Sequence, residues 1–332
     1  MENIKYVLIF LFLYFSISKI GDEAYTFDRI KVNNKACKMF YIYFPSKSQT
    51  QNTPLVIWLN GMIGLSNMFS LIEEIGPFRI DHLDKVSNNQ FGWNLFSDLL
   101  LVELLGNGYS PCAVSLEEGS NTIPAADDIL DLLVQLTKQY PRMNNQTIYL
   151  ASEHLGTKIM LNLGLLLLRQ KDPNLKFVLG GILLVNPIVS PVIQYKSLSY
   201  FIANSIGLSF TDFVRGITTE LTQLLIAKTE DYSLAYNWFN HIYLFVHNAK
   251  KRPFFHRFNI KKECLDYPIC NSYFEGSQFL TSHANEFKIY SKFLLINPSV
   301  ISKNYNRFYE SSINELETIL NSSNIQLLLL WG

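Results

Sequence analysis

The stretch Thr147–Val185, TIYLASEHLGTKIMLNLGLLLLRQKDPNLKFVLGGILLV, reads as strand, helix and strand in succession. Thr147–Leu150 is a short β-prone run. Thr157–Arg169 is apolar nearly all round, which a helix tolerates only when it is deeply buried. Phe177–Val185 returns as a strand and ends at Asn186-Pro187. The same rhythm extends toward the N-terminus. Leu55–Leu59 (LVIWL) is a continuous apolar run ending in Asn60-Gly61, and Leu99–Leu105 (LLLVELL) is another, ending at Gly106-Asn107-Gly108. Pro124 opens a helix with Ile129, Leu132, Leu133, Leu136 and Tyr140 on one face, and Pro141 stops it. Continuous apolar strands separated by helices require a parallel sheet covered on both faces, so the fold class is α/β. Residues 191–285 break the rhythm: they are richer in aromatics, Asn and Ser, and read as short helices and loops of an inserted cap. A helix at Ile313–Leu320 and a strand at Ile325–Trp331 resume it. The expected organisation is a main domain over 22–190, the cap over 191–285, and the rest of the main domain over 286–332.

Composition narrows the function classes. Lys+Arg and Asp+Glu number 28 each among 332 residues, so the chain is formally neutral, and 48% of it is hydrophobic. That balance excludes disorder and gives no basic footprint for nucleic acid. Ordinary Gly and Pro content excludes collagen-like and low-complexity classes. The sequence contains no internal repeat.

The first residues predict a compartment. One lysine lies within Met1–Lys5, then Tyr6–Ile17 is an apolar run, with Ser16 and Ser18 at its end at the small-residue spacing of a cleavage site. This layout is a signal peptide over residues 1–18 and too short for a comfortable span, with an uncleaved anchor as the other reading. The mature chain then starts near Lys19–Asp22 and is secreted or lumenal, with no membrane association after cleavage. Sequons at Asn145-Gln146-Thr147 and Asn321-Ser322-Ser323 fit that route as glycosylation sites. Cys37, Cys112, Cys264 and Cys270 are even in number, and an oxidising compartment pairs them. Of the three connectivities, the pair Cys264–Cys270, closing a short loop around Pro268, is favoured. No C-x-x-C and no His pair at ligand spacing accompanies them, so neither metal nor cofactor is expected.

Four motifs in order carry a family resemblance. Pro54-Leu-Val-Ile-Trp-Leu-Asn-Gly61 and then Glu73-Glu-Ile-Gly-Pro-Phe78 resemble the opening W-L-N-G and E-x-G-P motifs of the serine carboxypeptidases. Trp93-Asn94, Glu103 and Gly108-Tyr109-Ser110 resemble the family's next strand and its G-x-G-[FY]-S turn, here one residue short. Ile148-Tyr-Leu-Ala-Ser-Glu-His-Leu-Gly156-Thr-Lys158 lies where the nucleophile elbow belongs. Gly180-Gly-Ile-Leu-Leu-Val-Asn-Pro-Ile-Val-Ser-Pro191 is similar to the strand leading into the cap. The S-E-x-x-G-x-K elbow and the Ser190-Pro191 ending resemble the retinoid-inducible branch of the family. The resemblance runs from about Tyr41 to the C-terminus and implies an α/β-hydrolase fold, a mostly parallel sheet flanked by helices with an inserted helical cap.

The residues implied for the chemistry depart from the family. Aligned without gaps, the nucleophilic serine falls on His154, framed by Glu153 and Gly156. Ser152 lies two residues early, on the strand side, and no G-x-S-x-G occurs elsewhere. His154 then reads as a buried, capping or ligand-contacting histidine, because an imidazole nucleophile needs an activating partner. The resemblance places the oxyanion-hole N–H groups on Met62 and Leu155, and Met62-Ile63 in place of Gly-Pro predicts a different loop path there. It also implies a triad Asp after the strand at Ile325–Trp331 and a triad His further on, both beyond Gly332. His82, His241, His247, His256 and His283 read as surface or polar-cluster residues.

Loss of the nucleophile alone removes about 10⁶-fold of turnover. The expectation is therefore a catalytically inactive, secreted member of the family. What the resemblance leaves is binding: Asn60 and Glu153 stand where the family recognises a peptide's C-terminal carboxylate, the Glu by staying protonated in acid. The competing reading has both residues simply bracing the turn. An ending at Ile325–Trp331 would also leave a sheet edge and an apolar face for a partner, or for a longer product, to cover. The contrasting hypothesis is a working serine carboxypeptidase, through a longer isoform or a nucleophile elsewhere.

Overall fold

A computed structural model describes residues 18–20, 23–33, 35–48, 50, 52–61, 64–80, 86–110, 112, 122–171, 175–194, 255–256, 259–263, 310–322 and 325–331. The helices kept by these residues are α1 (Thr122–Gln139), α2 (Gly156–Arg169), the short α3 (Pro191–Gln194) and α4 (Ile313–Leu320). Strands β1 (Ser18–Ile20), β2 (Glu23–Lys31), β3 (Lys38–Phe44), β4 (Leu55–Leu59), β7 (Asp98–Glu103), β8 (Thr147–Glu153), β9 (Val178–Val185) and β12 (Gln326–Leu330) form one eight-stranded sheet in the order β1-β2-β3-β7-β4-β8-β9-β12. Two hairpins stand apart, β5 (Phe78–Ile80) with β6 (Val86–Asn88), and β10 (Phe255–His256) with β11 (Asn259–Glu263). The first three strands and the β3–β7 junction are antiparallel, and from β7 to β12 every neighbour is parallel. This is the α/β architecture expected from the apolar runs.

Both faces of the sheet are apolar, with the period of two that a pleated strand imposes. On β4, Leu55, Ile57 and Leu59 point into one core with Ala126, Ile129, Leu133 and Leu136 of α1 and Ile159 and Leu163 of α2. Val56 and Trp58 point the other way, onto Leu65, Met68, Phe69, Ile72 and Phe78. That sandwiching explains why the strands read as continuous rather than alternating.

Element boundaries differ from expectation for local reasons. β7 runs from Asp98 to Glu103 and stops before Leu104-Leu105, because the chain turns at Gly106 (φ 87°), whose N–H donates to the Ser110 carbonyl at 2.8 Å. β8 continues past Leu150 to Glu153, held in register with Leu183–Val185 of β9. α1 begins two residues before Pro124, which a first helical turn tolerates.

Near the N-terminus, β1 pairs with β2 across the boundary expected for leader removal, and buried Glu23 accepts from Asn94 Nδ2 at 2.8 Å and pairs with Lys47. The observed disulfide joins Cys37, between β2 and β3, to Cys112 after β7, with Cα atoms 5.3 Å apart. Of the three connectivities this one leaves Cys264 and Cys270 to each other; both lie outside the described residues, as does most of the expected cap. Among the described residues no helix is long and apolar enough to cross a membrane.

Candidate functional site

The C-terminal ends of β4 and β8, adjacent and parallel, bring the candidate residues together. β8 ends at Glu153 and α2 begins at Gly156, so His154 and Leu155 must reverse the chain between them. His154 does so with φ 44°, in the left-handed region. That conformation costs a residue with a Cβ about 1–2 kcal/mol, though His is among the residues found there more often. Backbone bonds hold it: His154 N–H donates to the Val185 carbonyl at 3.0 Å, and Ile188 N–H donates to the His154 carbonyl at 3.1 Å. The elbow expected from the strand–turn–helix pattern is present, with histidine at its apex.

Two glycines let the elbow interlock with the end of β4. A Cβ on Gly156 would lie 2.5 Å from the Asn60 carbonyl oxygen, and one on Gly61 would lie 2.6 Å from His154 Cβ. This close approach engages backbone groups at the elbow. The N–H of Leu155 donates to the Gly61 carbonyl at 3.1 Å, so that donor is already engaged within the protein. Met62 lies outside the described residues. Ser152 sits on the α2 side of β8, wholly buried.

Glu153 projects to the opposite face, and there it meets a carboxyl that sequence reasoning did not single out. Its Oε1 accepts the Gly61 N–H at 3.1 Å, and its carboxyl lies beside that of Glu74. Glu74 Oε2 accepts from Trp58 Nε1 at 3.0 Å, and the same indole N–H reaches Ser70 Oγ at 2.8 Å. Burial, and then the neighbouring Glu153, push Glu74 up to about 8; burial also raises Glu153. Two carboxyls this close cannot both ionise cheaply, so the pair retains a proton at neutral and acid pH. The signal for Glu74 was the acidic pair Glu73-Glu74 inside an otherwise apolar stretch, but which of the two turns inward depends on the 3₁₀ helix at Asn67–Leu71.

Asn60 is almost fully buried and occupied. Its N–H donates to Asn67 Oδ1 at 2.9 Å and its Nδ2 to the Ser66 carbonyl at 2.8 Å. Asn67 in turn donates to the carbonyls of Trp58 and Val102 and, from its backbone, to Glu103 Oε2 at 2.7 Å. Glu103 also accepts from Ser66 Oγ at 3.1 Å and from the Tyr109 N–H at 3.4 Å, and burial pushes it up to about 8. Asn60 therefore braces the loop behind the site. Trp58 is core, edge-on to Trp93 with ring centroids 5.6 Å apart.

Of the remaining expected residues, Asn145 and Asn321 are exposed, as glycan acceptors must be. His82, His241, His247 and His283 lie outside the described residues, and His256 is described only as part of β10. Among the described residues no group of three His, Cys, Asp or Glu could hold a metal ion.

Comparison with known proteins places this geometry. The family model described as serine carboxypeptidase matches residues 27–326. Carboxypeptidase Y homolog A of Sordaria macrospora is 32% identical over 161 residues, which are 48% of this chain and 28% of that protein. Its counterpart in Sclerotinia sclerotiorum is 34% identical over the same shares. The chain thus covers under a third of the length of these curated relatives. Among solved structures, Kex1(delta)p, a prohormone-processing carboxypeptidase from Saccharomyces cerevisiae, superposes with TM-score 0.78 at 19% identity, over 93% of this chain and 73% of that one.

Proposed function

The chain belongs to the serine carboxypeptidase family, and on that premise we propose that it is a member that binds peptide C-termini without hydrolysing them. The observation that carries this reading is the elbow. His154 occupies its left-handed apex, and the Leu155 N–H that would meet an oxyanion is bonded to Gly61 instead. Replacing the nucleophile alone costs about 10⁶-fold, and engaging an oxyanion donor removes a further part of what remains.

Capture falls to the Glu74–Glu153 pair. A carboxyl that keeps its proton donates a strong hydrogen bond to an incoming carboxylate, whereas an ionised pair repels it. Affinity for a free C-terminus is then high in acid and falls as pH rises through about 8, where Glu74 gives up its proton. Asn60 supports the site from behind through Ser66 and Asn67. An acidic or neutral compartment of the secretory route, or the exterior, suits this chemistry; the apolar run Tyr6–Ile17, the Cys37–Cys112 disulfide and exposed Asn145 and Asn321 support that placement. The retinoid-inducible branch rests on the elbow and Ser190-Pro191 motifs alone.

Fluorophosphonate labelling of the purified chain, with blocked-dipeptide hydrolysis followed from about pH 4.5 to about pH 7.5, should give neither adduct nor product. Labelling accompanied by turnover would overturn the proposal and restore a serine-type carboxypeptidase acting through another nucleophile.

A further inference from the structure

Between the 3₁₀ helix at Asn67–Leu71 and β5, residues 72–77 carry Glu74 through turns and bends, with no strand or helix ladder to take their carbonyls. A buried carbonyl without a partner is costly, so the partners must come from elsewhere in the fold. Trp93 N–H donates to the Ile75 carbonyl at 2.9 Å. Asn89 holds the next two, its Nδ2 donating to the Gly76 carbonyl at 2.7 Å and its N–H to the Pro77 carbonyl at 2.6 Å. Arg79 takes three more. Its Nη2 donates to the Glu74 carbonyl at 2.6 Å, and its Nη1 to the carbonyls of Ile72 at 3.2 Å and Phe78 at 3.1 Å.

One planar guanidinium therefore ties together the start, middle and end of the loop. A lysine is a point charge without that fork and cannot span the same three oxygens. The loop held this way lays the Glu74 side chain over Trp58, whose Nε1 donates to Glu74 Oε2 at 3.0 Å, with Glu153 beside it. Arg79 is partly buried for this purpose: burial lowers it, and Glu74 and then Glu73 oppose that shift.

We infer that Arg79 is the positioning residue of the Glu74–Glu153 pair, its guanidinium fixing the loop that sets the Glu74 carboxyl in place. The consequence for a ligand rests on the proposed capture of peptide C-termini by that pair; the effect on Glu74 itself does not. Among the described residues the charged groups around Glu74 are Glu153, Glu73 and Arg79. Position and charge then predict opposite signs. Without a positioning arginine the Glu74 carboxyl reaches water, and it falls from about 8 toward the ordinary carboxylate range. Removal of a merely neighbouring positive charge would leave the carboxyl buried and push it higher.

The test uses the full purified chain, with glutamate carboxyl resonances followed by NMR from about pH 4 to about pH 10 and Glu74→Gln identifying the resonance of interest. The wild-type Glu74 should titrate near 8, and in Arg79→Gln it should fall by about two pH units or more. Arg79→Lys keeps the charge and loses the fork, so it should shift the same way, and it reads the effect if the glutamine variant does not fold. In both variants a blocked dipeptide with a free C-terminus should bind roughly tenfold more weakly at about pH 5.5. A Glu74 that stays near 8 or rises in variants of lowered melting temperature, wild-type behaviour in Arg79→Lys, or a wild-type Glu74 in the ordinary range would each overturn the inference. A wild type with Glu74 near 8 that takes no dipeptide would instead remove the capture reading, and the shift in the variants would still support the role of Arg79.

Discussion

Glu103→Gln should abolish part of the pH dependence of the protein's stability. The wild-type carboxyl is fully buried at the end of β7, and burial raises it from 4.5 to about 8 despite bonds from Asn67 N–H, Ser66 Oγ and Tyr109 N–H. In the unfolded chain the same group titrates near its ordinary value. Between those two values the folded state holds a proton that the unfolded state has lost, so stability falls as pH rises. The contribution is complete in acid, below the unfolded value, and is gone once pH passes through about 8. At about 1.4 kcal/mol per pH unit, the window corresponds to roughly 5 kcal/mol. Glutamine cannot ionise and removes that slope. It also sets an amide N–H₂ against one of the donors the carboxylate accepted, at about 1 kcal/mol. Urea titrations followed by tryptophan fluorescence from about pH 5 to about pH 9 should therefore show the variant weaker in acid and stronger in base, with the curves crossing. Glu74 and Glu153 contribute slopes of the same sign, but they cancel in the difference between the two proteins. A difference that stays constant across the range would refute the buried, proton-retaining state of Glu103.

Three further outcomes are expected. His154→Val should cost roughly 1–2 kcal/mol while His154→Asn is tolerated, because a β-branched residue is penalised at φ 44° and asparagine is not; thermal melts distinguish them, and equal melting temperatures would contradict a left-handed apex. Replacing Cys37 and Cys112 together by serine should cost about 4 kcal/mol in the chain-entropy account, since the bond spans 75 positions; matched loss of stability in the wild type under reductant would check it, and no loss would refute it. Glu74→Gln should keep peptide capture alive above about pH 8, where the wild type loses it, because the amide still donates when the carboxyl no longer can; calorimetry above and below that value reads the difference, and parallel decline of both proteins would refute the shared-proton site.

The sheet was legible in the sequence where burial on both faces makes strands continuous. Leu55–Leu59 and Ile313–Leu320 coincide with β4 and α4. β8 is longer than its sequence suggests, because Ala151, Ser152 and Glu153 are poor strand formers held extended by β4 and β9 on either side. The elbow was legible too, since Glu153 and Gly156 keep its frame, and the left-handed φ of His154 is what that frame requires. Long-range pairings were not. Cys37 and Cys112 meet only because β3 and β7 are neighbours in space, and the Glu74–Glu153 pair exists only because the 3₁₀ turn after β4 folds Glu74 over Trp58. Asn60 shows a third limit. The family resemblance implied contact with a peptide's C-terminal carboxylate and the competing reading a braced turn; that its amide donates to Ser66 is something only the folded loop reveals.

Saturation-transfer NMR on a blocked dipeptide with a free C-terminus, mixed with the purified chain at about pH 5.5, reads binding and hydrolysis in the same tube. The account predicts transfer from protein to dipeptide, lost in Glu153→Ala and weak for the dipeptide amide, with no product signals over the time course. Product resonances, or equal transfer to the amide, would contradict it.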